Sequence, residues 1–143
     1  MSKVVELSQD LSQCRRVAVY GTLRSEYHNN RLLKGARLID IGKSEFWGTM
    51  YSCGGFPILC TKEPSTKVVV EIWELPEGVD GDVMLDDLDR LEGYPGWYDR
   101  NIKTFNIGGE PIKAWIYTQD NINMDLPEVE SGDWKEFVEG NRV

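Results

Sequence analysis

LDDLDRLEGYPGWYDR, residues 85–100, is the stretch around which the 143-residue chain is organised. Laid on a helix at about 100° per residue, Met84, Leu85, Leu88 and Leu91 gather on one face. Glu92 follows Leu88 by four and Leu85 by seven, so it falls at the edge of that face. Asp86 and Arg90 point away, and Asp87 and Asp89 lie toward the flanks. Of the five carboxylates here (Asp86, Asp87, Asp89, Glu92, Asp99), the pattern sends Glu92 inward. A carboxylate facing a core costs several kcal/mol unless paired or protonated, and burial raises its pKa. Glu92 is therefore either a satisfied structural acid, with Arg100 as the obvious partner, or a tuned general base. Spacing alone leaves both open and leans to the first.

Outward from this helix, the apolar patterning predicts about six strands. RVAVY at 16–20 reads as a buried strand that breaks at Gly21, Thr22, Leu23 and Arg24. Residues 25–33 are expected to form a short helix capped by Ser25. Residues 36–51 are strand-like, with bends expected at Gly42 and Gly48. Residues 56–60 form a short strand that Pro57 confines to an edge or a bulge. KVVVEIWEL at 67–75 is the clearest strand. Asp80 or Asp82 would cap the helix that ends at Glu92. Residues 98–107 and 111–118 make a hairpin, with Ile112, Ala114 and Ile116 on one face and Trp115 and Tyr117 on the other. Residues 1–13 read as a loose polar arm or an edge segment. The acidic tail holds one short helix at 133–139. There is no repeat and no linker, so the expectation is one domain over 1–143, with a core at about 15–118 and a tail at 119–143. Many strands and few helices give an α+β class, a small mixed β-barrel with two or more flanking short helices.

Composition narrows the partners. A formal charge of −8 without a basic stripe argues against nucleic acid and anionic lipid. No segment approaches the roughly 20 apolar residues of a membrane span, and no signal peptide is visible. Three cysteines without a CxxC, and a single histidine, argue against a zinc site and for free thiols in the cytoplasm.

Two constellations could carry chemistry. Tyr20, Gly21, Thr22 and Leu23 lie where a strand turns into a helix start, a geometry that aims backbone N–H groups at an anion or a developing oxyanion. Glu92 with Tyr94, Trp97 and Tyr98 is the second. The aspartate run at 80, 82, 86, 87 and 89 spreads over several helix faces and reads as a solvated surface, not a metal site. His28 reads as a surface or capping residue.

YGTLR at 20–24, HNNRLL at 28–33, GGFPIL at 54–59, LDDLDRLEGYP at 85–95 and YDR at 98–100 occur in this order. Each is weak alone. Together they resemble the γ-glutamylcyclotransferase-like family, nearest its γ-glutamylamine cyclotransferase branch, over residues 15–118. The resemblance implies a cofactor-free reaction in which the α-amine of a γ-glutamyl group attacks its own γ-amide carbonyl, releasing 5-oxoproline and an amine or amino acid. It maps the substrate-holding loop onto Tyr20, Gly21, Thr22 and Leu23, and the catalytic glutamate onto Glu92. Tyr98 and Tyr117 are expected to orient Glu92 or close the pocket. Val70 stands where related sequences commonly carry glycine, and is expected to narrow the pocket. The alternatives are a catalytically silent module binding a small anion or a partner, and an interaction protein acting through its acidic face. No cofactor or metal is expected, and the protein would be a monomer or homodimer.

Overall fold

Two apolar faces on one sheet set the architecture. The computed structural model describes residues 3–121 and 125–140; the remaining parts of the expected arm and tail lie outside the described residues. In chain order the elements are α1 (Lys3–Gln13), β1 (Arg16–Val19), a 3-10 helix (His28–Leu33), β2 (Arg37–Ser52), β3 (Pro57–Cys60), β4 (Thr66–Glu74), α2 (Val79–Glu92), β5 (Asp99–Phe105), β6 (Ile112–Thr118) and α3 (Trp134–Gly140).

The six strands form a single mixed sheet in the order β3-β2-β4-β1-β6-β5. β1 runs antiparallel to β4 and parallel to β6. Strand side chains alternate between faces. Val17, Val19, Trp115 and Tyr117 enter one core with Leu85 and Leu88 of α2. Ala18, Val68, Val70, Ile72, Ala114 and Ile116 enter the other, with Phe105 and Trp134. β4 is apolar on successive residues because both of its faces are covered. The hairpin of β5 and β6 has the facial assignment its alternation predicts.

The α+β class holds, but the sheet is not closed into a barrel. β3 and β5 remain as its two edges. Pro57 opens the four-residue edge strand β3, and beyond β6 the Gln119 N–H reaches the Leu59 carbonyl at 2.9 Å. The expected polar arm is instead helix α1. Its Leu7 and Leu11, one helical turn apart, are buried. Residues 25–33 form only the 3-10 helix, and Ser25 caps nothing there: its N–H and hydroxyl both go to Glu71. Gly78, not an aspartate, is the N-cap of α2. The register of β2 against β4 shifts between Lys43 and Trp47, beside Gly42, whereas Gly48 pairs regularly with Thr66.

Candidate active site

The ends of β1 and α2 meet at a cavity of about 300 Å³. Its wall runs from Ala18 through Leu23, continues along 55–57, Leu91, Glu92, Trp97 and Tyr98, and includes Asn29 and Tyr117. The seven residues expected to act on the substrate, Tyr20, Gly21, Thr22, Leu23, Glu92, Tyr98 and Tyr117, lie on this lining, and Trp97 joins them; Tyr94, grouped with Glu92 from the sequence, does not and packs instead against the first core.

The turn at 20–24 is held from behind. The Asn29 side chain donates to Thr22 Oγ1 at 3.0 Å, and Asn30 donates to the Leu23 carbonyl at 2.8 Å. Arg24 and Ser25 attach to Glu71, a fully buried carboxylate on β4, and Arg24 Nη1 reaches Asp133 at 2.9 Å. Among the described residues, the N–H groups of Gly21, Thr22 and Leu23 donate to no protein acceptor. A Cβ on Gly21 would sit 2.6 Å from Pro57 Cγ, so only glycine lets the turn lie this close to β3.

Helix α2 delivers Glu92 as its last residue. Gly93 then stops the helix in the left-handed conformation, its N–H returning to the carbonyls of Asp89 and Arg90. Arg100 is not Glu92's partner. It takes Asp89 in a bidentate pair, Nε to Oδ1 at 2.9 Å and Nη2 to Oδ2 at 3.1 Å. Arg100 Nη2 also reaches Asp10 of α1 at 3.0 Å, and the guanidinium lies 4.5 Å and 4.6 Å from the ring centres of Tyr94 and Trp115. The Tyr117 hydroxyl donates to Asp89 Oδ1 at 2.7 Å. Asp89, read from the sequence as part of a solvated face, is thus 1% exposed and fully engaged. Leu91, read as inward, is 41% exposed on the cavity rim.

Glu92 is left with no hydrogen bond or ion pair from any described residue. Burial pushes its pKa up to about 7, and its place at the negative end of a helix acts in the same direction. Burial likewise raises the phenols of Tyr20, Tyr98 and Tyr117. They close the pocket without bonding to Glu92: Tyr20 donates to the Tyr117 carbonyl and Tyr98 to the Pro57 carbonyl, each at 2.7 Å. Val70 is not on the cavity lining. It faces the second core and is fully buried there. Asn29, Asn30, Glu71 and Asp89 were not singled out by sequence reasoning, although HNNRLL already carried two of them. Among the described residues no three His, Cys, Asp or Glu side chains converge as a metal site, and no helix is long and apolar enough to cross a membrane.

A small α+β sheet thus sets a turn with free amides against a buried glutamate without a partner among the described residues, and the two face one cavity. The chain belongs to the family described as gamma-glutamyl cyclotransferase, AIG2-like, whose model matches residues 17–136. A Drosophila melanogaster relative named provisionally as a gamma-glutamylcyclotransferase, CG2811, is 33% identical over 123 residues, 78% of this chain and 73% of that protein. An AIG2-like protein from Mus musculus superposes with a TM-score of 0.67 at 24% identity, over 83% of this chain and 88% of that one. Protein YtfP of Escherichia coli superposes with a TM-score of 0.60 at 28% identity, over 86% and 98%. The mouse structure, at its identity, bears on the fold alone.

Proposed function

We propose that the protein is a γ-glutamyl-amide cyclotransferase that releases 5-oxoproline. The observation that carries this reading is Glu92: a cavity carboxylate without a partner, with a pKa of about 7, opposite a turn with three free N–H groups. Those amides, with the Thr22 hydroxyl and Asn29, are suited to hold the glutamyl carboxylate and steady the tetrahedral oxyanion.

The α-ammonium first loses one proton to solvent. The neutral nitrogen attacks the γ-carbonyl carbon while Glu92 takes its second proton, and the C–N bond of the lactam forms. Glu92 then returns that proton to the amide nitrogen as the original γ-C–N bond breaks. The freed amine takes up a proton from solvent. Because attack is intramolecular, the cavity's chief contribution is to fold the substrate into the attacking conformer. The reaction as written needs no redox group. It is consistent with a small γ-glutamyl substrate and a cytoplasmic setting.

The test is Glu92→Gln against a panel of γ-glutamyl amines and dipeptides. Loss of at least about 100-fold in kcat, with KM little changed, is expected. The wild-type rate should rise with pH through about 7 as Glu92 ionises. Release of 5-oxoproline by the variant at the wild-type rate would overturn the role of Glu92. A wild-type protein that is stabilised by the panel but yields no 5-oxoproline from it would make this a binding module instead.

A further inference from the structure

Arg24 ends the YGTLR run and closes its turn. Its N–H returns to the Gly21 carbonyl at 3.0 Å, so its backbone brackets the free amides of 21–23. Its side chain is buried and turns away from the cavity. Nε reaches Glu71 of β4 at 3.4 Å, and Nη1 reaches Asp133 at 2.9 Å. Asp133 lies in the acidic tail, 109 residues further along the chain.

That tail is fixed without help from the turn. The Ser52 N–H donates to the Pro127 carbonyl at 2.8 Å and the Val129 N–H to the Met50 carbonyl at 2.7 Å, so 127–129 runs beside β2. The Val69 N–H of β4 donates to the Gly132 carbonyl at 2.9 Å. Gly132 has φ +70°, and a Cβ there would stand 2.2 Å from the Lys67 carbonyl oxygen, so this approach to β4 demands glycine. Trp134 is sunk in the second core. Between these anchors Asp133 caps α3, its Oδ1 accepting the N–H groups of Lys135 at 3.1 Å and Glu136 at 3.3 Å. The same oxygen accepts from Arg24. An acceptor held rigidly by the tail thus meets a guanidinium whose planar fork fixes direction as well as distance.

We infer that Asp133 is a positioning residue for the site: acting through Arg24 it sets the turn at 21–23, which makes the C-terminal segment 127–134 part of the substrate-holding machinery although none of it lines the cavity. The kinetic consequence rests on the cyclotransferase reading; the link from tail to turn does not. Three backbone amides serve one carboxylate or oxyanion only if they converge, and a displacement of about 1 Å costs up to about 100-fold in rate. Asn29 and Asn30 hold the turn at Thr22 and Leu23, and Arg24 holds its far end. Asp133 is not needed to neutralise Arg24, because Glu71 and Glu26, the latter at 3.6 Å, stay beside the guanidinium. What Asp133 adds is direction.

Two variants separate positioning from folding. Asp133→Ser keeps a capping oxygen for α3 but is too short to reach Arg24. Asp133→Asn keeps both the reach and the oxygen and removes only the charge. With the best substrate of the γ-glutamyl panel, KM is expected to rise at least about tenfold in Asp133→Ser and much less in Asp133→Asn. The rise of rate with pH should stay centred near about 7, because Glu92 is untouched. A merely structural role would lower the folded fraction, and with it the apparent kcat, at unchanged KM. That pattern, or equal KM values in all three proteins, would overturn the inference. The second measurement needs no substrate. Nitrogen-15 relaxation of the Gly21, Thr22 and Leu23 amides should give order parameters of about 0.85 in the wild type and below about 0.6 in Asp133→Ser, with Asp133→Asn between them. Unchanged order parameters at the turn would overturn the inference too. If the wild type makes no 5-oxoproline but the order parameters fall as expected, the cyclotransferase reading fails and the link from tail to turn stands. Should circular dichroism show Asp133→Ser unfolded, Arg24→Lys takes its place. It keeps a cation for Glu71 but cannot span to Asp133 as well, and the same changes in KM and order parameters are expected.

Discussion

Glu92 and Asp89 sit three residues apart on one helix, and their environments drive them to opposite uses. Asp89 has a guanidinium and a phenol; Glu92 has neither, and its carboxyl is raised from 4.5 to about 7 by burial. That shift has a consequence for stability. A folded-state pKa above the unfolded one means that the folded chain binds the extra proton between these two values. The stabilisation is complete below about pH 4.5 and is lost as pH rises through about 7. Glu92→Gln removes that loss. Its melting temperature should therefore gain on the wild type as pH is raised from about 5 to about 8, measured by thermal denaturation at several pH values; a constant difference would show Glu92 to be unshifted. Helical spacing made the inward turn of Glu92 legible. It could have flagged Asp89 too, which follows Leu85 by four and so lies about 40° from it. What no spacing reveals is which of the two carboxylates Arg100 takes. That depends on β5 and β6 being paired beside the helix.

Among the elements, helix α2 is placed by two fastenings: its leucines against the sheet, and Asp89 against Arg100 of β5 and Tyr117 of β6. Asp89→Ala would leave a buried guanidinium half-paired, at a cost of about 3–5 kcal/mol, read as a lower urea midpoint. It should also loosen Glu92, so kcat should fall even where the variant stays folded. The turn at 20–24 is likewise placed from outside, by Asn29 and Asn30 of the 3-10 helix and by Glu71 of β4. The strand-glycine-turn pattern of YGTLR was readable, because Gly21 is demanded by the approach of Pro57. Its supports were not, because they act across loops and between strands. Helix α1 was hidden for a related reason. Its described apolar contacts come from the Leu7 and Leu11 pair, and a short helix is marginal until it packs.

At the scale of the whole molecule, the sheet separates two cores, and the cavity opens at the end of only one parallel strand pair. The core on the Phe105 side is open to a prediction that leaves the site alone. Phe105 is fully buried, packs on Phe46 with ring centres 5.1 Å apart, and does not line the cavity. Phe105→Ala should cost about 3–5 kcal/mol, seen as a lower denaturant midpoint at unchanged m-value, with KM of the folded fraction unaltered. The mixed α+β class was legible from strand alternation and the scarcity of helices. Barrel closure was not, since nothing local says whether β3 and β5, the two edges, will find each other. The central parallel pair has a further meaning in time. Val17 of β1 and Trp115 of β6 are register partners about a hundred residues apart in sequence, so their pairing closes one of the longest loops in the fold. Such contacts are entropically late and slow to form. The cavity lies at the end of this pair and takes wall residues from β1 and its continuation and from Tyr117 of β6, so it cannot exist in a chain still emerging from the ribosome. Ligand recognition is then among the last properties this polypeptide acquires as it folds, and the first it forfeits when β6 detaches.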